Sequence, residues 1–135
     1  MLFSGRLSRR SPLRSWCLGV SIAASLLLGA ETVARPSLSP AVVRLNQLPA
    51  EAQVVHRQIH TGGPFAYPKD GTVFGNRERA LPPQPRGFYR EYTVVTPGSR
   101  DRGARRIVCG GRNARAPEAC FYTADHYNSF YRITP

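Results

Sequence analysis

The sequence predicts an α+β fold in which one N-terminal helix packs on a four- to five-stranded antiparallel sheet. One segment, between about residues 49 and 60, repeats apolar residues at helical spacing. Short β-branched and aromatic segments follow it, separated by glycine and proline. A helix followed by a run of strands is typical of α+β domains. With 135 residues, the chain can form one small domain but not a multidomain enzyme or a doubly wound nucleotide-binding fold.

Residues 1–34 have the layout of a secretory signal peptide, so we expect a secreted protein, extracellular or periplasmic. A basic segment without acidic residues precedes the apolar segment Cys17–Ala30, and small residues follow. This apolar segment is shorter than the roughly 20 residues that span a membrane, although a membrane anchor remains the alternative. Cleavage after Ala30 and cleavage after Ala34 both fit, and an arginine pair upstream leaves the twin-arginine route open.

The exported part of the chain is strongly basic. Residues 35–135 hold 14 Arg and one Lys against seven acidic residues, a net charge of +8. Arginine stays protonated at working pH and can bind phosphate through two hydrogen bonds, which predicts an anionic partner. Charge alone does not distinguish nucleic acid, anionic lipid and an acidic protein.

A flexible leader is predicted over residues 35–46, because this stretch contains Pro and Ser and has no clear period. The folded domain is then predicted over residues 47–135.

The domain is predicted to begin with a helix over about residues 49–60. Pro49 suits a first helical turn, and Glu51 suits the positive end of the helix dipole. The segment 61–64, Thr-Gly-Gly-Pro, ends the helix. Apolar residues recur on one face: Ala52, Val55 and Ile59.

Two histidines, His56 and His60, lie four residues apart on this helix. Such a spacing can hold a metal ion, but no third ligand accompanies them in the sequence. We therefore expect solvent-facing histidines and no metal site or other cofactor.

Five segments after the helix have the composition of strands, and the sheet they form is predicted to leave one face concave and open. Proline-rich and glycine-rich loops separate them. The predicted strands are Thr72–Phe74, Phe88–Val95, Arg102–Cys109, Cys120–Thr123 and Asn128–Ile133.

Two cysteines, Cys109 and Cys120, remain after removal of the signal peptide, and they bracket a predicted hairpin loop. In an exported domain of this size they predict one disulfide. A pair of free thiols is the alternative.

Alternation along the strands sorts the side chains onto two faces of the sheet. Arg102 and Arg106 differ by an even number and are predicted to share the open face, whereas Ile107 and Cys109 take the covered face. Other residues sort in the same way: Tyr89, Glu91 and Thr93 on one face, Tyr92 and Val94 on the other.

Glu91 is then predicted to lie beside two arginines. Local positive charge would keep its carboxylate ionised, as a general base requires. A surface ion pair of little energetic value is the alternative, and from spacing alone we favour it.

Four segments occur in an order that is characteristic of one family: LPAEAQVVHRQIHTGGPFAYPKDG (48–71), FGNRE (74–78), EYTVVTPGSRDRGARRI (91–107) and YTADHY (122–127). Through them the chain resembles the guanyl-specific microbial ribonucleases, a bacterial, barnase-like family. The resemblance extends from about Leu48 to Ile133. It implies the family's α+β fold and metal-independent cleavage of single-stranded RNA on the 3′ side of guanosine.

The resemblance also implies catalytic roles. Glu91 is similar to the family's general base, His126 to its general acid, and Arg102 and Arg106 to the arginines around the reacting phosphate. The 2′-hydroxyl attacks the adjacent phosphorus to give a 2′,3′-cyclic phosphate, which is then hydrolysed. Asp125 either orients His126 or caps a turn.

Guanine recognition is assigned by the resemblance to the segment at 74–78. The Glu78 carboxylate can accept hydrogen bonds from guanine N1–H and its exocyclic amine, and backbone amides near Asn76 and Arg77 can bind O6. Phe74 and Arg77 offer flat partners for stacking. Asn76 can equally be a turn residue with unusual backbone angles, and Tyr127 either lines the phosphate or base site or packs in the core.

Other interpretations stay open. One is a non-catalytic secreted cationic protein that binds RNA or membranes, and another is a ribonuclease toxin whose partner is an acidic inhibitor protein, an encounter that positive charge accelerates. We expect a monomer without stable membrane association after processing. Arg112 and Arg115, in the hairpin loop, either contact RNA downstream of the cut or are solvated.

Overall fold

The computed structural model describes residues 39–135, so the predicted signal peptide lies outside the described residues. In this part of the chain one α-helix, one short 3-10 helix and six strands follow one another. Their bounds are β1 Ala41–Arg44, a 3-10 turn Leu45–Gln47, α1 Ala50–Thr61, β2 Thr72–Val73, β3 Tyr89–Thr93, β4 Arg106–Gly110, β5 Ala119–Thr123 and β6 Tyr131–Thr134.

The six strands form one sheet in the order β1-β6-β5-β4-β3-β2. Every neighbouring pair is antiparallel except β1 and β6, which are parallel. The helix packs on one face, and the predicted α+β class is confirmed. The strand count is larger than the predicted four to five because β1 was not foreseen.

Strand β1 corrects the predicted leader over residues 35–46. Ala41 lies opposite Tyr131 and Arg44 opposite Thr134, so residues 41–44 form an edge strand. The prediction of flexibility is wrong for this part because the pairing partner is β6, almost 90 residues later in the chain. A local pattern does not reveal such a partner.

Helix α1 lies one residue later than predicted. The Pro49 carbonyl accepts the first helical hydrogen bonds, and the chain turns at Gly62, which has φ 84°. A left-handed glycine at this position is the common way to end a helix. As predicted, the buried residues of the helix are Ala52, Val55 and Ile59.

The helix-side core follows the predicted alternation. Tyr92 of β3 packs with the helix residues, as do Ile107 and Cys109 of β4. Val94, just after β3, belongs to the same cluster. The opposite face is not open along its whole length. A second buried cluster covers one end of it: Leu81, Tyr89, Val108, Phe121 and Phe130.

Cys109 and Cys120 form the predicted disulfide, which joins directly opposed residues of β4 and β5. His56 and His60 have ring centroids 4.8 Å apart. His56 is half-buried, so it is not fully solvent-facing, whereas His60 is exposed. Burial, His60 and Arg57 lower the pKa of His56. Among residues 39–135, no helix is long and apolar enough to cross a membrane.

Candidate active site

The open part of the sheet carries a carboxylate, a hydroxyl and a guanidinium on adjacent strands. Glu91 and Thr93 lie two residues apart on β3, and Thr93 is opposite Arg106 in β4. Because side chains alternate along a strand, all three point to the face away from the helix. The predicted grouping of Glu91 with Thr93 is confirmed.

Arg102 also lies on this face, although it is not part of a strand. It precedes β4, which begins at Arg106, so strand alternation does not place it. Its Nε and Nη2 donate to the Thr93 hydroxyl at 3.0 and 2.7 Å. Two contacts to one oxygen fix the plane of the guanidinium, which also lies over the Tyr67 ring.

Asp70 holds the threonine that binds Arg102, and its side chain is only 2% exposed. One Asp70 carboxylate oxygen accepts both the Thr93 amide and the Thr93 hydroxyl at 2.7 Å, and the other accepts the Tyr67 amide at 3.2 Å. Arg102 Nη2 lies 3.7 Å from Asp70. Asp70 and Arg102 therefore compensate each other's charge through a shared threonine.

Glu91 lies between a cation and a phenol. Its Oε1 is 3.7 Å from Arg102 Nη2, and its Oε2 accepts a 2.6 Å hydrogen bond from the Tyr127 hydroxyl. Its side chain is 16% exposed, so the carboxylate remains accessible from solvent.

Tyr127 is held in its protonated form. Burial and, next, the hydrogen bond to Glu91 raise its pKa to about 12. A phenol beside a carboxylate keeps its proton because ionisation would place two negative charges together.

Arg106 is 3% exposed and stabilises the loop that precedes its own strand. Its Nη1 donates to the carbonyl oxygens of Arg102, Gly103 and Arg105 at 3.3, 2.9 and 2.8 Å. Within the described part of the chain, its buried Nε has no hydrogen-bond partner.

His126 enters the same region through a turn with left-handed backbone angles. His126 has φ 55° and Tyr127 φ 73°, and the His126 amide donates to the Ala104 carbonyl between the two arginines. The His126 and Tyr127 ring centroids are 4.8 Å apart. His126 therefore neighbours the tyrosine that contacts Glu91.

Of the two roles considered for Asp125, the contacts show turn capping. Its carboxylate accepts hydrogen bonds from the Ser129 hydroxyl, the Ser129 amide and the Thr123 hydroxyl. The hydrogen bonds from Ser129 are the main reason that the pKa of Asp125 is lowered.

The segment at 74–78 forms a loop beside Tyr127. Asn76 has φ 46°, and its side-chain amide exchanges two hydrogen bonds with the Leu81 backbone, at 2.9 and 3.0 Å. The Asn76 side chain is therefore committed to the loop itself. Arg77 and Glu78 are exposed, and the loop lines a cleft of about 720 Å³.

Phe74 connects this loop to the charged centre. Its ring centroid is 5.0 Å from that of Tyr127 and 6.1 Å from that of Phe130. Tyr127 thus belongs to both parts of the site, because its ring contacts Phe74 and its hydroxyl contacts Glu91.

Two side chains that hold Arg102 in place were not identified from the sequence. Asp70 precedes Gly71 and looked like an ordinary turn residue, and Thr93 was assigned only a face. No local pattern distinguished Asp70 from a turn residue, because its burial depends on the β2–β3 pairing. Across residues 39–135, no group of three His, Cys, Asp or Glu side chains could hold a metal ion.

Comparison with known proteins identifies the relatives. Residues 31–134 match the sequence model of a family described as ribonuclease. The chain is 53% identical over 92 residues to guanyl-specific ribonuclease St of Saccharopolyspora erythraea, which covers 68% of this chain and 85% of the relative. It is 50% identical over 91 residues to guanyl-specific ribonuclease Sa of Kitasatospora aureofaciens. That alignment covers 67% of this chain and 91% of the relative.

Solved structures agree with these sequence relatives. Ribonuclease Sa2 with guanosine-2′-cyclophosphate superimposes with a TM-score of 0.65 at 43% identity, covering 72% of this chain and 98% of that protein. Ribonuclease Sa2 in complexes with mononucleotides gives a TM-score of 0.66 at 44% identity. The superposition covers 72% of this chain and 96% of that protein.

Proposed function

This chain belongs to the ribonuclease family, and on that premise we propose that it is a guanine-preferring endoribonuclease that cleaves RNA through a cyclic phosphate. The substrate is single-stranded RNA cut on the 3′ side of guanosine. One observation supports the proposal most directly: Glu91 lies beside Arg102 and accepts a hydrogen bond from Tyr127, whose ring neighbours that of His126.

In the first step, Glu91 takes the proton of the guanosine 2′-hydroxyl, whose oxygen attacks the adjacent phosphorus. His126 gives a proton to the leaving 5′-oxygen, and the product is a 2′,3′-cyclic phosphate. In the hydrolytic step the roles reverse, because water enters where the 5′-oxygen left. Positioned proton transfer of this kind contributes about 10²–10⁴-fold to the rate.

The two arginines stabilise negative charge on the phosphate oxygens. Arg102 is fixed by Thr93, and Arg106 is fixed by three backbone carbonyl groups. Donors that are oriented before substrate binds need little rearrangement as charge develops, which makes them effective.

Tyr127 has a positioning role. Its hydroxyl donates to Glu91, and its pKa of about 12 keeps that hydrogen bond in place at neutral pH. The bond limits the rotation of the carboxylate and leaves Oε1 on the side of Arg102.

The base binds at the 74–78 loop. Glu78 accepts hydrogen bonds from guanine N1–H and the exocyclic amine, a pair that adenine does not offer. Backbone amides near Asn76 and Arg77 bind O6, since the Asn76 side chain is already engaged with Leu81. Phe74 and Arg77 supply the stacking surfaces.

Dinucleotide cleavage tests this function. The purified protein is incubated with GpU, ApU, UpU and the 2′-deoxy analogue of GpU in excess EDTA, and the products are separated by chromatography. We expect selective loss of GpU with a guanosine cyclic phosphate product, while the deoxy analogue survives for want of the attacking hydroxyl. Equal cleavage of ApU and GpU, or cleavage of the deoxy analogue, would contradict the proposal.

Export is part of the same proposal. A basic segment and an apolar segment open the chain, and the disulfide Cys109–Cys120 suits an oxidising compartment. The net charge of +8 over residues 35–135 suits an RNA substrate, and it would also speed binding of an acidic inhibitor protein. Mass measurement of the secreted form tests export and locates the cleavage point.

A further inference from the structure

A second groove continues from the cleft of the base-binding loop. It has a volume of about 630 Å³ and shares Gln84, Pro85 and Arg86 with that cleft. From the shared wall it runs to the hairpin between β4 and β5, where Phe88, Arg112 and Glu118 line it.

The groove offers the chemistry of a nucleotide site. Arg86 and Arg112 are both exposed, and neither forms an ion pair with a carboxylate in the described part of the chain. Phe88 is half-buried and lies across the ring of Tyr89, with centroids 5.1 Å apart. Guanidinium groups for phosphate beside an aromatic ring for stacking are the combination that binds single-stranded nucleic acid.

The hairpin that carries Arg112 is held by a disulfide and by local hydrogen bonds. The disulfide Cys109–Cys120 closes its base, and the Gly111 amide donates to the Phe88 carbonyl at 3.2 Å. At the tip, Asn113 accepts hydrogen bonds from the backbone of Arg115 and Ala116. Arg112 therefore projects from a fixed support, which lowers the entropic cost of binding.

Gly110 has a specific packing role in the floor of this groove. The Phe88 ring lies directly on its backbone, where a Cβ atom would collide with the ring. Only glycine at this position lets the Phe88 ring lie against β4 without movement of the ring.

The other arginine of the hairpin, Arg115, contacts the end of α1 instead of the groove. The Arg115 guanidinium lies against Gly62, the residue that ends α1. A cation at the C-terminal end of a helix is favoured by the helix dipole. Of the two arginines singled out in the sequence, Arg112 is the one that lines the groove.

The position of the groove indicates which part of the RNA it meets. Arg106 and Gly110 are the two ends of β4, about 13 Å apart by strand rise, so Arg112 does not reach the phosphate at Arg106. In the proposed function, the 3′-phosphate of guanosine binds at the Arg106 end and the base binds at the 74–78 loop. The nucleotide on the 3′ side leaves from the charged centre, and the chain on the 5′ side is the part that can extend past the base loop.

We propose that the groove of Arg86, Phe88 and Arg112 is a subsite for the nucleotide that precedes the guanosine, with Arg112 on a phosphate and Phe88 on a base. This proposal rests on the proposed function, since it takes the orientation of the RNA from the reaction. It replaces the downstream contact considered from the sequence with an upstream one.

Substrate length tests the subsite. We compare kcat/KM at low salt for GpU, for the 5′-extended UpUpGpU and for the 3′-extended GpUpUpU. For the wild type we expect the 5′ extension to raise kcat/KM about tenfold over GpU, the size of effect that stacking and phosphate contacts give. Arg112→Ala removes most of that gain and leaves GpU cleavage unchanged, and Arg112→Lys keeps part of it.

The matched control is Arg57→Ala, which removes the same charge from an exposed position on α1. It should keep the gain from the 5′ extension. A gain that survives in Arg112→Ala, an equal loss in Arg57→Ala, or a loss confined to GpUpUpU would overturn the subsite. If the wild type cleaves GpU but gains nothing from UpUpGpU, the subsite fails alone, whereas failure to cleave GpU at all would remove the proposed function.

Discussion

The two halves of the candidate site are built in opposite ways. At the charged centre, most of the side chains are fixed by other side chains: Asp70 accepts from Thr93, Thr93 accepts from Arg102, and Glu91 accepts from Tyr127. At the 74–78 loop, the shape of the base site depends on the conformation of the backbone. There the Asn76 side chain bonds to the loop itself, and Arg77 and Glu78 are exposed.

This difference has a physical reason. Charge that develops on a phosphate is stabilised best by donors that are already oriented, so the cost of ordering them is met during folding. A planar base needs a matching edge and stacking surfaces, which backbone amides and exposed side chains can supply on binding. Damage to the charged centre should therefore cost both stability and rate, whereas damage to the loop should cost mainly affinity.

The largest stability effect is expected from Asp70→Asn. The substitution keeps the shape but turns an acceptor oxygen into an NH₂ group near backbone donors, and it leaves Arg102 without its buried counter-charge. We expect the free energy of unfolding to fall by about 2–3 kcal/mol, with a lower kcat because Arg102 is held less firmly. Urea unfolding measures the first and GpU cleavage the second.

Asp101→Asn is the control for that change, because this carboxylate lies exposed in the loop before β4. Its hydrogen bonds to Ser99 and Gly103 are local and solvent-exposed. An equal loss of unfolding free energy in the two variants would show that the buried contacts of Asp70 stabilise the fold no more than exposed hydrogen bonds do.

Asn76→Ala should give an intermediate effect that appears in binding. It removes both hydrogen bonds to Leu81 and places alanine at φ 46°. We expect KM for GpU to rise about tenfold, roughly 1.4 kcal/mol, with a smaller change in kcat. Asn76→Gly tolerates the backbone angle but lacks the amide, so it separates the two causes; if it restored KM fully, the side-chain hydrogen bonds would be irrelevant.

The smallest effect is a pH dependence at Tyr127. Burial and then the hydrogen bond to Glu91 raise its pKa to about 12, whereas an unfolded tyrosine titrates near 10. The folded state therefore holds this proton more tightly, and the stability it contributes is lost as pH rises from about 10 through 12.

Tyr127→Phe lacks this proton, so its stability deficit relative to the wild type should shrink over that pH interval. Denaturant unfolding at pH 8 to 12 measures the deficit. The exposed Tyr131 in β6 supplies the control Tyr131→Phe. A deficit for Tyr127→Phe that stays constant with pH would contradict the assigned hydrogen bond.

The parts of this structure that follow local patterns were predictable. Period-2 alternation placed Glu91 and Thr93 on one face and Tyr92 and Val94 on the other, and helical spacing identified the buried residues of α1. The pairing of Cys109 with Cys120 followed from the two cysteines that lie outside the predicted signal peptide.

The parts that depend on distant partners were not predictable in the same way. Strand β1 exists because β6 pairs with it, and Arg102 reaches the open face from a loop where no alternation rule applies. Asp70 acquires its role only when β2 pairs with β3 and brings it to Thr93. For the residues proposed to act on RNA, the family resemblance supplied what spacing alone did not, because spacing favoured a simple surface ion pair at Glu91.

The central claim is that Glu91 and His126 act on one phosphodiester, and the pH dependence of kcat/KM for GpU tests it most directly. The wild type should give a bell-shaped profile. Glu91→Gln should lose the acidic limb and His126→Ala the alkaline limb, each with a fall of at least 10²-fold at the optimum. A profile that keeps both limbs in both variants, with less than a tenfold fall, would contradict the account.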